Sequence, residues 1–204
     1  VATVLVAVLA ACGTASTERY YRLDAGASSA HASPAATVSP QPHANAAGSG
    51  AAPSHPAQIR LVLAAIPQTI DRPQIIRLLG PNEMQVLEFD RWAEPVRSAV
   101  AHTLDAHLAR QFPDAWIVPE ASLGDASATT ISVTIESMEF DAAQARLQAR
   151  WLVSAPSGSQ LADRLALQSA SGGTAGGAVA AWSAELGEVA QAIADTVRKM
   201  PVSP

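Results

Sequence analysis

The sequence predicts a mixed α/β chain of the α+β kind, with one mixed, largely antiparallel sheet covered by two long helices. Three observations predict it. Several segments between residues 59 and 167 alternate apolar and polar side chains with period two, as half-buried strands do. Two segments carry apolar stripes at spacings of three and four: Val96, Val100, Leu104, Leu108 and Phe112, then Trp182, Leu186, Val189, Ile193, Val197 and Met200. The order is strands, helix, strands, helix, and one sheet under both helices would bury both stripes. The pattern does not fix the strand order.

Each element has a local reason. Ile59, Leu61 and Leu63 alternate with Arg60, Val62 and Ala64, and Pro67 ends that strand. Asp71-Arg72-Pro73 reads as a turn, since Pro73 keeps Arg72 out of the helical region. Residues 74–79 and 84–88 read as a hairpin around Gly80-Pro81-Asn82. Asp90 through Pro95 is expected to open the first helix, with Asp90 as N-cap and Pro95 in the first turn. Pro113 ends that helix. Residues 116–118 form a short strand. Residues 129–140 form a long one, whose phase shifts at Met138 and Phe140 as a bulge would shift it. Leu147, Ala149, Trp151 and Val153 alternate in the next strand, and 161–167 answers it across the turn at 155–159. A glycine-rich loop at 169–177 leads to an amphipathic helix of about five turns. Its polar face is expected to carry Glu185, Glu188, Gln191 and Asp195, with Arg198 and Lys199 complementing the dipole at its end.

The first twelve residues are different in kind. They are apolar apart from Thr3 and end in Leu9-Ala10-Ala11-Cys12, the only cysteine of the chain. A short apolar run before small residues reads as a secretory leader, too short to span a bilayer. Leu-Ala-Ala-Cys resembles a bacterial lipobox. Residues 1–11 are then part of a signal peptide whose start, with its Met and basic stretch, is missing from the sequence. Cys12 carries a covalent lipid (palmitate among its acyl groups), and residues 12–18 form a tether. The competing reading is a buried terminal segment ending in an ordinary hydrophobic thiol.

Residues 19–204 are expected to form one domain. Within it, residues 25–57 are rich in Ala, Ser, Pro and His, with Val38 as their one sizeable apolar side chain. Such a stretch buries too little surface to offset its ordering entropy and reads as a flexible insertion. The net charge is −5, the only lysine is Lys199, and no basic cluster occurs. Nucleic acid is excluded as a partner, because phosphate neutralisation needs a basic stripe. A lone cysteine closes no internal disulfide.

Ile66-Pro67, Asp71-Arg72-Pro73-Gln74-Ile75 and Glu88-Phe89-Asp90-Arg91-Trp92-Ala93-Glu94-Pro95, with Tyr20-Tyr21-Arg22-Leu23 upstream, are similar to a known family. They resemble the ABC-type transport auxiliary lipoproteins, the Pqi lipoprotein group. The resemblance implies a non-catalytic lipoprotein subunit held by acyl chains on the periplasmic face of the outer membrane. It implies an MCE-domain protein and an ABC permease of a phospholipid transporter as partners, a contribution to membrane integrity, and possible homo-oligomers. Gly13 after the cysteine, in place of Asp, favours the outer membrane. The connection after Leu23 is longer than the family's usual one. Pairing of 20–23 with the 59–66 strand then requires closing a long loop, at an entropy cost that grows slowly with length.

Asp71, Arg72, Pro73, Arg91, Trp92, Glu94 and Pro95 are the candidate site residues. One reading makes Arg91, Trp92 and Glu94 partner anchors at a helix start. The other packs Trp92 under the sheet and pairs Arg91 and Glu94 with neighbours. His102 and His107 lie about 140° apart on one helix, the wrong spacing for a shared metal. His31, His43 and His55, twelve residues apart, lack the close spacing of a zinc site. Gly172 to Gly177 lacks the Lys-Ser/Thr of a phosphate loop and reads as a mobile loop. No catalytic constellation, metal site or cofactor is expected beyond the lipid on Cys12. Two other readings stand beside the transport subunit: an envelope module binding a small amphiphile between sheet and helices, and an exported enzyme.

Overall fold

The computed structural model describes residues 17–26, 58–118 and 127–200. Cys12, the leader and nearly all of the 25–57 insertion lie outside the described residues. The chain forms β1 (Arg19–Tyr21), β2 (Gln58–Ala65), β3 (Gln74–Gly80), β4 (Glu83–Trp92), α1 (Val96–Gln111), β5 (Trp116–Val118), β6 (Thr129–Phe140), β7 (Gln144–Ser154), β8 (Gln160–Ala170) and α2 (Ala175–Arg198). The α+β class holds, with both long helices in place.

The strands divide between two mixed sheets where the sequence suggested one. The larger has the order β5-β2-β6-β7-β8 and the smaller β1-β4-β3. In the larger, β5 and β6 flank β2 in parallel, and β7 and β8 continue antiparallel. Both helices cover one face of it: α1 lies against β2 and β5, α2 against β7 and β8, and the helices touch each other. Alternation supplies the core. Ile59, Ile131, Val133, Leu147, Ala149 and Val153 point inward and are fully buried, against Leu104 and Leu108 of α1 and Leu186, Val189 and Ile193 of α2.

The phase shift in β6 is a bulge between Ile135 and Ser137, with Glu136 exposed. It turns Met138 and Phe140 inward. There the small sheet meets the large one through Trp92, Trp182 and Phe140. The Trp92 and Trp182 rings lie 5.9 Å apart, and Phe140 stands edge-on to Trp182 at 5.8 Å. Trp182 Nε1 donates to the Arg146 carbonyl at 3.3 Å, so the buried indole keeps a partner.

Four local expectations are corrected. First, residues 20–23 do not pair with the 59–66 strand: β1 lies parallel to β4, with Arg19, Tyr20 and Tyr21 opposite Asp90, Arg91 and Trp92. Second, Asp90 is not a helix N-cap. β4 continues through Trp92 and α1 starts at Val96 behind Pro95, which offers no capping side chain. The reason is that this backbone is already engaged as strand: Trp92 N–H donates to the Pro73 carbonyl at 2.8 Å and Ala93 N–H to the Tyr21 carbonyl at 2.7 Å. Third, the glycine-rich stretch is a tight turn. Gly172 and Gly173 take positive φ of 58° and 65°, and α2 begins at Ala175 with Thr174 as N-cap, its hydroxyl accepting from Gly177 N–H at 3.1 Å. Fourth, Glu185 is not on an exposed polar face but fully buried. α2 packs on β7, β8 and α1 at once, so its buried arc is wider than one stripe.

Candidate functional site

Two short segments far apart in sequence come together at one corner. The turn before β3 and the exit of β4 are joined by the Trp92–Pro73 backbone bond. Around that bond, Asp71, Arg72, Pro73, Trp92, Ala93, Glu94, Pro95 and Val96 line an open groove of ≈ 390 Å³. Six of the seven candidate residues thus share one surface feature. Arg91 is the exception: its side chain points to the other side of the strand and pairs with Glu18 at 3.2 Å.

The lining is part wall and part lip. Trp92 is the wall, 7% exposed, held between the small sheet and Trp182. Pro73, Ala93 and Pro95 are exposed apolar surface. Glu94 meets His102 Nδ1 at 3.3 Å across the start of α1. Asp71 and Arg72 are exposed, and neither side chain has a hydrogen bond or ion pair among the described residues. The lip therefore presents one anionic and one cationic group to solvent, next to rigid proline surface. Such a surface suits recognition of another macromolecule, where arginine is a frequent anchor.

The corner is fixed from behind by Asp90, which is 5% exposed. Arg19 grips it with two nitrogens, Nε to Oδ1 and a terminal amine to Oδ2, both at 2.8 Å, and Tyr21 donates its hydroxyl at 2.8 Å. A two-pronged, charge-assisted contact is directional as well as strong. Burial and the bond to Asp90 raise the Tyr21 hydroxyl above its ordinary range. Sequence alone hides this anchor, because Asp90 stands where a helix N-cap would stand. A signal was present: Arg19 and Tyr21, two residues apart on a strand, share one face and need an acceptor.

The remaining candidates separate. His107 contacts Arg110 at 2.7 Å, and burial beside Gly187 lowers its basicity. His31, His43 and His55 lie outside the described residues, as does Cys12. Among the described residues, no three His, Cys, Asp or Glu side chains cluster to hold a metal. The glycine turn is explained by contacts: a Cβ on Gly173 would lie 2.7 Å from the Ala142 carbonyl oxygen, and one on Gly177 1.9 Å from that of Ser171. Between the small sheet and α2, the space lined by Ile70, Ile75, Trp92, Met138 and Trp182 measures only ≈ 10 Å³.

Fold and groove together define a two-sheet α+β domain with an open groove at one corner of its small sheet. A family model described as ABC-type transport auxiliary lipoprotein component matches residues 37–194, and the chain belongs to that family. Among solved structures, one of an uncharacterized protein superposes with a TM-score of 0.65 at 15% identity, covering 88% of this chain and 97% of that one. A second, the protein XCC0632 from Xanthomonas campestris, gives 0.55 at 19% identity, covering 72% and 89%. At these identities the likeness concerns the fold. No curated protein matches the chain.

Proposed function

We propose that this auxiliary component is a non-catalytic subunit of a phospholipid transporter working between two membranes. Acyl chains on Cys12 hold it in the outer membrane, facing the periplasm, and its folded domain docks an MCE-domain protein that an ABC permease serves. The observation that carries this reading is the convergence of Asp71, Arg72, Glu94 and three exposed apolar residues on one groove built on a rigid corner. No helix among the described residues is long and apolar enough to cross a membrane; attachment through acyl chains is supported by the likeness of Leu9-Ala10-Ala11-Cys12 to a lipobox. Tethering raises the local concentration of the docking lip without adding contacts. An amphiphile site between the small sheet and α2 is disfavoured, because ≈ 10 Å³ there has room for about one water and no acyl chain, and the larger groove of ≈ 660 Å³ lined by Ser132, Arg150, Leu152 and Arg164 lies on the large sheet away from that junction.

The test is affinity capture from detergent-solubilised envelopes with the acylated chain as bait. Wild type is expected to recover the MCE-domain protein and the permease. Arg72→Glu, which changes only exposed surface, is expected to lose most of that recovery while melting at the wild-type temperature. Wild type recovering neither partner would overturn the transport reading. Undiminished recovery with Arg72→Glu would move the interface elsewhere.

A further inference from the structure

Four of the large apolar side chains exposed among the described residues belong to the small sheet: Tyr20 at 62%, Leu79 at 51%, Met84 at 50% and Phe89 at 47%. Their arrangement is ordered. Ile76 pairs with Val86 and Leu78 with Met84, and all four are at least partly exposed, whereas Ile75, one phase away, is buried at 1%. The outer face of the β3–β4 hairpin is therefore an apolar strip that begins at the turn between Gly80 and Glu83 and runs toward Phe89 and Tyr20. β1, β3 and β4 carry Arg19, Arg77 and Arg91 against Glu83, Glu88 and Asp90, so the sheet as a whole bears no net charge.

The direction of β1 relates this strip to the membrane anchor. Because β1 runs parallel to β4, the chain upstream of Arg19 departs toward the hairpin turn. Cys12 stands seven positions before Arg19, as Glu83 stands seven before its partner Asp90. Thr17 stands five residue steps after Cys12, a reach of about 17 Å at full extension. A bilayer holding Cys12 by its acyl chains must lie within that distance of Thr17.

We propose that the outer face and turn of the β3–β4 hairpin rest in the interfacial layer of that bilayer, as a second, non-covalent contact that sets the orientation of the domain. The proposal depends on the acylation of Cys12 assumed above. Tyr20 and Phe89 are of the aromatic kind favoured at such interfaces, and the Ile76–Val86 and Leu78–Met84 pairs supply apolar area, whereas Leu79, in the phase of Ile75, lies beside Asp141, Ala142, Ala143 and Arg146 and is not part of that face. With no net charge on the sheet, attachment is driven by buried area and needs no anionic lipid. The Asp71–Pro95 groove lies at the opposite end of the hairpin from its turn, so the contact leaves the docking lip free.

The chain offers a clean test, because acylation consumes its only thiol. The full acylated protein is prepared with Met84→Cys, Phe89→Cys or Arg164→Cys, the last on the far edge strand β8. Each is labelled with a polarity-sensitive fluorophore and reconstituted into phosphatidylcholine vesicles containing a nitroxide-bearing lipid. Labels at 84 and 89 are expected to be quenched several-fold more than the label at 164, equally at low and high salt. Vesicle-bound protein with equal quenching at all three positions would overturn the proposal and leave the anchor standing. A label at 84 shielded from water yet untouched by the lipid quencher would also overturn it, since a second copy or a protein partner gives that result. Protein that stays off the vesicles, with Cys12 unmodified by mass spectrometry, would sink the anchor itself.

Discussion

Trp92 belongs to the core and to the groove at once. Its ring closes the space between the small sheet and Trp182, and its edge forms the groove's wall. Truncation to Ala would leave a void among Ile75, Met138 and Trp182, so Trp92→Ala is expected to cost about 3–5 kcal/mol in chemical denaturation. A near-neutral result with lost partner capture would instead make Trp92 an interface residue. Asp141 acts on acidity. It accepts from Ala143 N–H at 2.8 Å and Gln144 N–H at 2.9 Å, and from Arg146 at 2.5 Å, closing the turn between β6 and β7. Those backbone bonds, then Arg146, lower its pKa from 3.8 to about 2. A carboxyl depressed in the folded state stabilises above its unfolded pKa, and that stability is lost as pH falls through the folded value. Thermal melts are therefore expected to decline between pH 3.8 and about 2, and Asp141→Asn should remove that part of the decline. A wild-type acid limb unchanged in the variant would exclude this assignment. Glu185 is the residue most at odds with helical patterning: fully buried, its carboxyl is pushed above the ordinary range by desolvation, with Ser169 opposing in part.

At the scale of elements, close backbone approach governs two junctions. The start of α2 is drawn against Ser171, so that only Gly fits at position 177. A Cβ 1.9 Å from a carbonyl oxygen requires backbone movement, not a side-chain adjustment. Gly177→Ala is expected to lower the melting temperature by several degrees and to speed amide exchange in the first turn of α2. An unchanged melt would mean that the turn relaxes freely. Gly187 serves the α1–α2 contact in a similar way, where an added Cβ would lie 2.8 Å from the His107 ring. Arg198 closes the other end of that contact, donating to Gln111 and lying 5.3 Å over the Phe112 ring. The glycine stretch was legible as turn chemistry but not as tight, because a Gly needed for positive φ and a Gly in a mobile loop look the same in sequence.

For the whole molecule, the two sheets divide the work. The large sheet with α1 and α2 is the rigid body. The small sheet meets it at the Trp92–Trp182–Phe140 contact and carries the Asp71–Pro95 groove at one end and the β3–β4 turn at the other. The candidate residues of the groove were named from sequence because they resemble a family's motifs, not because period or spacing pointed to them. That Asp71–Pro73 and Trp92–Pro95 share a groove, and that Arg91 turns away, required the fold. Asp71 and Arg72 are charged residues in a turn, and a turn's own sequence does not say what faces it.

The sequence by itself determined the type of the long strands and of both helices, the inward phase of the large sheet's strands, where the bulge in β6 falls, and that one cysteine follows an apolar run. These are local properties, since a period of two or 3.6 depends only on near neighbours and on which side meets water. The tertiary structure alone decided that β1 pairs with β4, that Asp90 serves Arg19 and Tyr21 in place of a helix end, that the strands form two sheets, and that Glu185 is enclosed. Those outcomes depend on what lies opposite each face, and strand pairing between residues some seventy positions apart leaves no periodic trace in the chain that makes it.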